Sequence, residues 1–166
     1  MDLIKELIPR LKPYVIGWIR EYGGNITKTV TAQNDVKWYT YTPTWTASTT
    51  NPALGNGTLT GRYTLIGKTC VGNIYLVMGS TTTYSSGAWS LSLPFTAANA
   101  GVRYSGTWII IDPGVANYQG ALFIGSGQNK IDAFVRDGYS NYFSSTVPYT
   151  WGSSDYLILS FTYEIA

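Results

Sequence analysis

Few side chains in this sequence could do chemistry. After residue 25 the carboxylates are Asp35, Asp112, Asp132, Asp137, Asp155 and Glu164. Two carboxylates flanking a glycosidic bond suffice for hydrolysis, so their number alone permits a glycosidase. Their contexts favour another use. Asp112 precedes Pro113-Gly114, Asp137 precedes Gly138, and Asp155 follows Ser153-Ser154. At such positions Asp hydrogen-bonds nearby backbone and shapes a turn. The chain has no His, which removes the usual Ser-His-Asp and Cys-His arrangements and His-dependent zinc sites. Cys70 is the single cysteine, inside the apolar run "KTCVGNIYLVMG". It reads as a small buried hydrophobe. The loop "RDGYSN" lacks the dense oxygen ligands of a calcium loop. Gly55, Gly57 and Gly61 do not match the dinucleotide fingerprint, and a strand follows them instead of a helix. No cofactor, metal or catalytic residue is expected, and the chain reads as a non-enzyme.

Aromatic side chains offer a second kind of chemistry. "DGYSNYFSSTVPYTW" sets rings beside a carboxylate and an amide. Rings pack on the apolar faces of a sugar while polar groups fix its hydroxyls, as in small-ligand sites generally. Asp137, Tyr139, Asn141, Tyr142 and Trp151 are therefore the candidate glycan or receptor contacts. The competing reading packs these rings in the core or at a subunit contact, where Tyr and Trp are also enriched.

The elements that would position these groups read as β-strands. The chain of 166 residues holds 14 Tyr, 6 Trp and 18 Gly, with 12% charged residues. That composition favours folding into strands over disorder, and the length suits one domain. "TLTGRYTLIG" and "KTCVGNIYLVMG" read as a hairpin turning at Gly67-Lys68. "YQGALFIGSG" and "NKIDAFVRDG" read as another around Gly125-Ser126-Gly127. Trp89, Leu91 and Leu93 fall on one face of their strand, as do Leu157, Leu159, Phe161 and Tyr163 of the last. Eight or nine such strands predict a sandwich or barrel. Net charge is +2, with basic residues scattered, so no nucleic-acid footprint is present.

Residues 1–24 differ in texture. Ile4, Ile8, Leu11, Val15, Trp18 and Tyr22 recur at spacings of 4, 3, 4, 3 and 4. That is an amphipathic helical stripe, ended by Gly23-Gly24. Pro9 and Pro13 predict a kink. Under three heptads is too short to be stable alone, so the stripe must bury itself against the same chain's sheet, copies of itself or a larger assembly. Acidic Asp2 and Glu6 argue against a signal peptide, and mixed charges argue against a membrane-surface helix. The expected division is a helix over 1–24 for attachment or trimerisation and a β-sandwich head over 25–166.

The stretch "WYTYTPTWTASTTNPALGNGTLTGRY", Trp38 to Tyr63, followed by "GSTTTYSSGAWSLSLP", Gly79 to Pro94, resembles segments of tail-fibre-like and minor structural proteins of tailed bacteriophages. The resemblance covers about residues 38–98. It implies a jelly-roll-like β-sandwich, commonly a homotrimer, and brings no catalytic residues. The expected function is a virion structural protein made in the host bacterial cytoplasm. Its expected role is a trimeric tail-fibre or receptor-binding head, joined to other virion proteins by the N-terminal helix and engaging a host glycan. The alternatives are a capsid decoration protein of the same architecture, and a carbohydrate-binding module or glycan-active enzyme.

Overall fold

The computed structural model describes residues 37–135 and 141–166, and Trp38–Ala166 form one compact unit. The expected helix of residues 1–24, with Ile4, Ile8, Leu11, Val15, Trp18 and Tyr22, lies outside the described residues. No helix occurs among those described. Ten strands do: β1 (Tyr39–Tyr41), β2 (Trp45–Ala47), β3 (Thr58–Ile66), β4 (Thr69–Val77), β5 (Trp89–Ser92), β6 (Tyr104–Asp112), β7 (Ala116–Ile124), β8 (Lys130–Val135), β9 (Asn141–Tyr142) and β10 (Tyr156–Glu164). Their order in the sheet is β1-β3-β4-β10-β6-β7-β8-β5-β2, with β9 on β8. The pairings between these strands are antiparallel.

That order forces the sheet to curl. β1 and β2 stand at opposite ends of the path, yet only residues 42–44 join them. Nine flat strands would set their ends roughly 38 Å apart at about 4.8 Å per strand. The short link reaches about 14 Å at most. The two ends therefore meet. Ser92 N–H donates to Thr44 O at 3.0 Å, Thr44 N–H donates to Ser92 Oγ at 2.8 Å, and the Tyr41 hydroxyl donates to Ser92 O at 3.3 Å.

Local sequence explains the hairpins. β3 and β4 pair from Thr58↔Val77 to Ile66↔Thr69, turning at the expected Gly67-Lys68. Gly67 has φ +59°, the left-handed region that glycine enters at no steric cost. β6 and β7 turn through Pro113-Gly114-Val115, where Val115 N–H donates to Asp112 O at 3.0 Å. β7 and β8 turn through Gly125-Ser126-Gly127, as expected.

Alternation then decides the core. Ile74 and Leu76 of β4, Trp108 and Ile110 of β6, Leu122 and Ile124 of β7, and Leu157, Leu159, Phe161 and Tyr163 of β10 are buried. Trp89, Leu91 and Leu93 are buried too, and Cys70 is fully so. Each large side chain removed from water contributes about 1.5–3 kcal/mol. Rings lie against glycines on the inside of the curl. Tyr41 is opposite Gly61, Phe161 opposite Gly72, and Trp108 opposite Gly120. A Cβ on these glycines would meet the facing ring at 2.2, 2.6 and 2.5 Å respectively. The absence of a side chain lets bulky rings sit flat inside a tightly curved wall.

The stretch around Asn51–Gly61 is scaffold. Gly57 N–H donates to Leu54 O at 3.0 Å, and the Asn56 amide oxygen accepts from the Thr81 N–H and the Thr81 hydroxyl, each at 2.9 Å.

Candidate functional site

The short-stranded part of the sheet carries a polar groove. Its floor starts at the β7–β8 hairpin, which neighbouring chain holds rigidly. Ala97 N–H donates to Gln128 O at 2.8 Å, and Gly127 N–H donates to Ala98 O at 3.2 Å. Gly101 N–H donates to Ser126 Oγ at 2.9 Å. The Ser126 hydroxyl lies 3.2 Å from the Asn99 side-chain oxygen. From this base Asp132 points outward on β8, in register with Ser90 of β5 and Phe123 of β7. Tyr142 of β9 pairs with Phe134 of β8 and is 41% exposed.

Two clefts meet at this pair. One, of about 470 Å³, is lined by Asn99, Arg103, Phe123, Ser126 and Gln128 together with Asp132 and Tyr142. The other, of about 360 Å³, is lined by Thr46, Ser48, Ser90 and Lys130, again with Asp132 and Tyr142. Both volumes fall in the range of small-ligand sites. Lys130 Nζ lies 3.3 Å from Asp132 Oδ1. The site mixes a guanidinium, an ammonium, a carboxylate, amides and hydroxyls beside exposed rings.

The sequence-derived contact residues separate. Tyr142 stands in the groove. Asn141 belongs to β9, in register with Val135. Trp151 is 3% exposed and packs between Trp89 at 5.2 Å and Tyr149 at 5.1 Å, ring centre to ring centre. Asp137 and Tyr139 lie outside the described residues. The missed groove residues are Asn99, Arg103, Ser126 and Gln128. Only the Gly-Ser-Gly hairpin hinted at them, because the register that gathers them spans distant segments.

Of the remaining carboxylates, Asp155 makes local structure. Asp155 is buried, and its Oδ2 accepts the Gly152 N–H at 2.6 Å, the expected turn role. Desolvation, then the nearby Asp155 charge, raise the pKa of Asp112. Tyr149 stacks on Tyr118 at 5.1 Å. Its hydroxyl is buried without a hydrogen bond of normal geometry. Burial first, and then Asp155, push this phenol well above its usual range. Among the described residues no three His, Cys, Asp or Glu side chains group as metal ligands, and no helix is long and apolar enough to cross a membrane.

The class defined by this geometry is a curled antiparallel β-domain with a polar, aromatic-edged surface groove. No family model matches the chain, and no solved structure matches it. The chain is similar to the Mu-like prophage FluMu defective tail fiber protein of Haemophilus influenzae. The two are 36% identical over 116 residues, which is 69% of this chain and 18% of that protein. The chain thus spans less than a fifth of this relative's length.

Proposed function

We propose that this chain is a non-enzymatic structural protein of a tailed-phage virion, acting as the head of a tail fibre. The observation that carries the reading is the 36% identity with a tail fiber protein over 69% of the chain. That relative's name favours the tail over capsid decoration. In this reading the β-domain is a jelly-roll-like head, displayed as a homotrimer. The helix expected over residues 1–24 docks it to other virion proteins or holds the trimer. The head engages a host-surface glycan in the groove around Asp132 and Tyr142.

The glycan assignment is supported by ring and hydroxyl-binding groups converging on one wall. Two measurements test the proposal. Electron microscopy of particles, with the chain tagged, should find it on tail fibres; a capsid location overturns the tail reading. Binding of the full chain to host-surface glycans should fall at least tenfold in Tyr142→Ala and in Asp132→Asn. Undiminished binding in both variants removes the groove from recognition.

A further inference from the structure

The two clefts that meet at Asp132 and Tyr142 differ in charge and in the hydrogen-bonding groups they leave open. Arg103 stands just before β6, whose first residue, Tyr104, pairs with Ile124 at the end of β7. That register sets it beside the Gly125-Ser126-Gly127 turn, in the lining of the cleft of about 470 Å³. Among the described residues no carboxylate pairs with its guanidinium. The carboxylate that lines this cleft, Asp132, is held by Lys130 at 3.3 Å. The described lining of the groove therefore carries two cations against one anion, and the surplus charge sits at Arg103.

The same cleft has donors to spare. The Ser126 hydroxyl accepts the Gly101 N–H at 2.9 Å and donates to Asn99 Oδ1 at 3.2 Å. The Asn99 oxygen is thereby taken, and its amide N–H groups are left for a ligand. Arg103 adds five donors and no acceptor. The cleft of about 360 Å³ is lined by hydroxyls that already have partners. Ser48 Oγ accepts the Ala88 N–H at 2.9 Å, and the Thr46 and Ser90 hydroxyls lie 3.2 Å apart. Its cation, Lys130, is matched by Asp132.

We infer that the groove takes an acidic glycan in one direction. A sugar bearing a carboxylate or a phosphate lies against Arg103, and a neutral sugar lies beyond Asp132 and Tyr142. This rests on the glycan reading above and names its ligand class. A neutral sugar at Arg103 would leave the guanidinium facing weak acceptors. Its planar fork instead matches two oxygens of a carboxylate or phosphate, and hydrogen bonds between charged groups are about twice as strong as neutral ones. An anion in the second cleft would find Lys130 already bonded to Asp132. Asp132, where the clefts meet, also opposes a second acidic unit there.

The test is binding of the full chain to an array of glycans in matched pairs. Uronic-acid oligosaccharides stand beside their carboxyl-reduced forms, and phosphorylated oligosaccharides beside their dephosphorylated forms. Acidic members should bind at least tenfold more tightly than their neutral twins, and added salt should narrow the gap. The set that shows the gap identifies the anion. Arg103→Gln should lower the acidic-to-neutral ratio at least tenfold. Arg103→Lys, which keeps the charge without the fork, should restore part of it. Arg62→Gln removes a guanidinium that lies over the Trp38 ring, outside the groove, and should leave the ratio unchanged. Circular dichroism verifies the fold of each variant. Equal binding of acidic and neutral twins overturns the inference while the glycan reading stands. So does a ratio indifferent to Arg103→Gln, or one lowered as much by Arg62→Gln. Binding to no member of either set overturns both.

Discussion

The two halves of the curled sheet use one backbone pattern for different ends. In β3-β4-β10-β6-β7, long strands pair residue for residue, and tight hairpins join β3 to β4 and β6 to β7. In β8-β5-β2, strands of three to six residues leave loops that fold over the surface. The regular half can only make walls, since its backbone groups are consumed by the ladder. The interrupted half makes clefts, because loops such as 97–101 and 125–129 must cross it and tie off their own polar groups. Polar clefts therefore collect in one half and regular, uninterrupted ladder in the other.

Truncating the regular half should cost most. Trp108 is 2% exposed, and its indole N–H donates to Ala121 O at 2.9 Å. Its ring also covers Gly120. Trp108→Ala should destabilise the domain by about 3–5 kcal/mol, read from urea unfolding. A loss under about 1 kcal/mol would mean that the curl does not depend on this ring.

Next comes overpacking at a ring-covered glycine. In Gly72→Ala the new methyl would meet the Phe161 ring at 2.6 Å. That should cost about 1–3 kcal/mol. Phe161→Leu in the same chain should recover part of the loss, and no recovery would break the link between glycine and ring.

Alkaline pH probes both halves together. Burial raises the phenols of Tyr41 and Tyr163 near β4 and of Tyr149 in the loops. A pKa raised on folding gives stability that is complete below the unfolded value, about 10 for Tyr. It is then lost as pH climbs from there toward the folded values. Unfolding midpoints should be flat in this respect to about pH 10 and fall beyond it, in step with phenolate absorbance. Tyr41→Phe should make the fall shallower, and an unchanged slope would remove Tyr41 from the effect.

Most of the scaffold was legible in sequence and little of the site. Hairpins at Gly67-Lys68 and Gly125-Ser126-Gly127 announce themselves, because turn chemistry and period-two alternation act over a few residues. A glycine inside a strand, such as Gly61, can mark a close approach, but that the Tyr41 ring covers it is set by the pairing of β1 with β3. The groove was not legible. Its sides come from residues 99–103, 123–132 and 142, and only long-range register gathers them. Trp151 shows the same limit: beside Tyr149 in sequence it resembles a binding ring, and packing against Trp89 puts it inside.

The smallest effect should come from an ion pair of the groove. Lys130 and Asp132 lie 3.3 Å apart, with side chains 46% and 33% exposed. Exposed pairs gain little over solvation and are screened by salt. Lys130→Ala should change stability by less than about 1 kcal/mol, and the difference should vanish near 1 M salt. The same change removes an ammonium from the wall of the second cleft and frees Asp132 to accept ligand hydroxyls. Stability and glycan affinity should therefore part company here, as they cannot at Trp108. A loss above about 2 kcal/mol would show that the interrupted half is held together by charge, and the contrast between a load-carrying ladder and a clefted, loop-built half would fail.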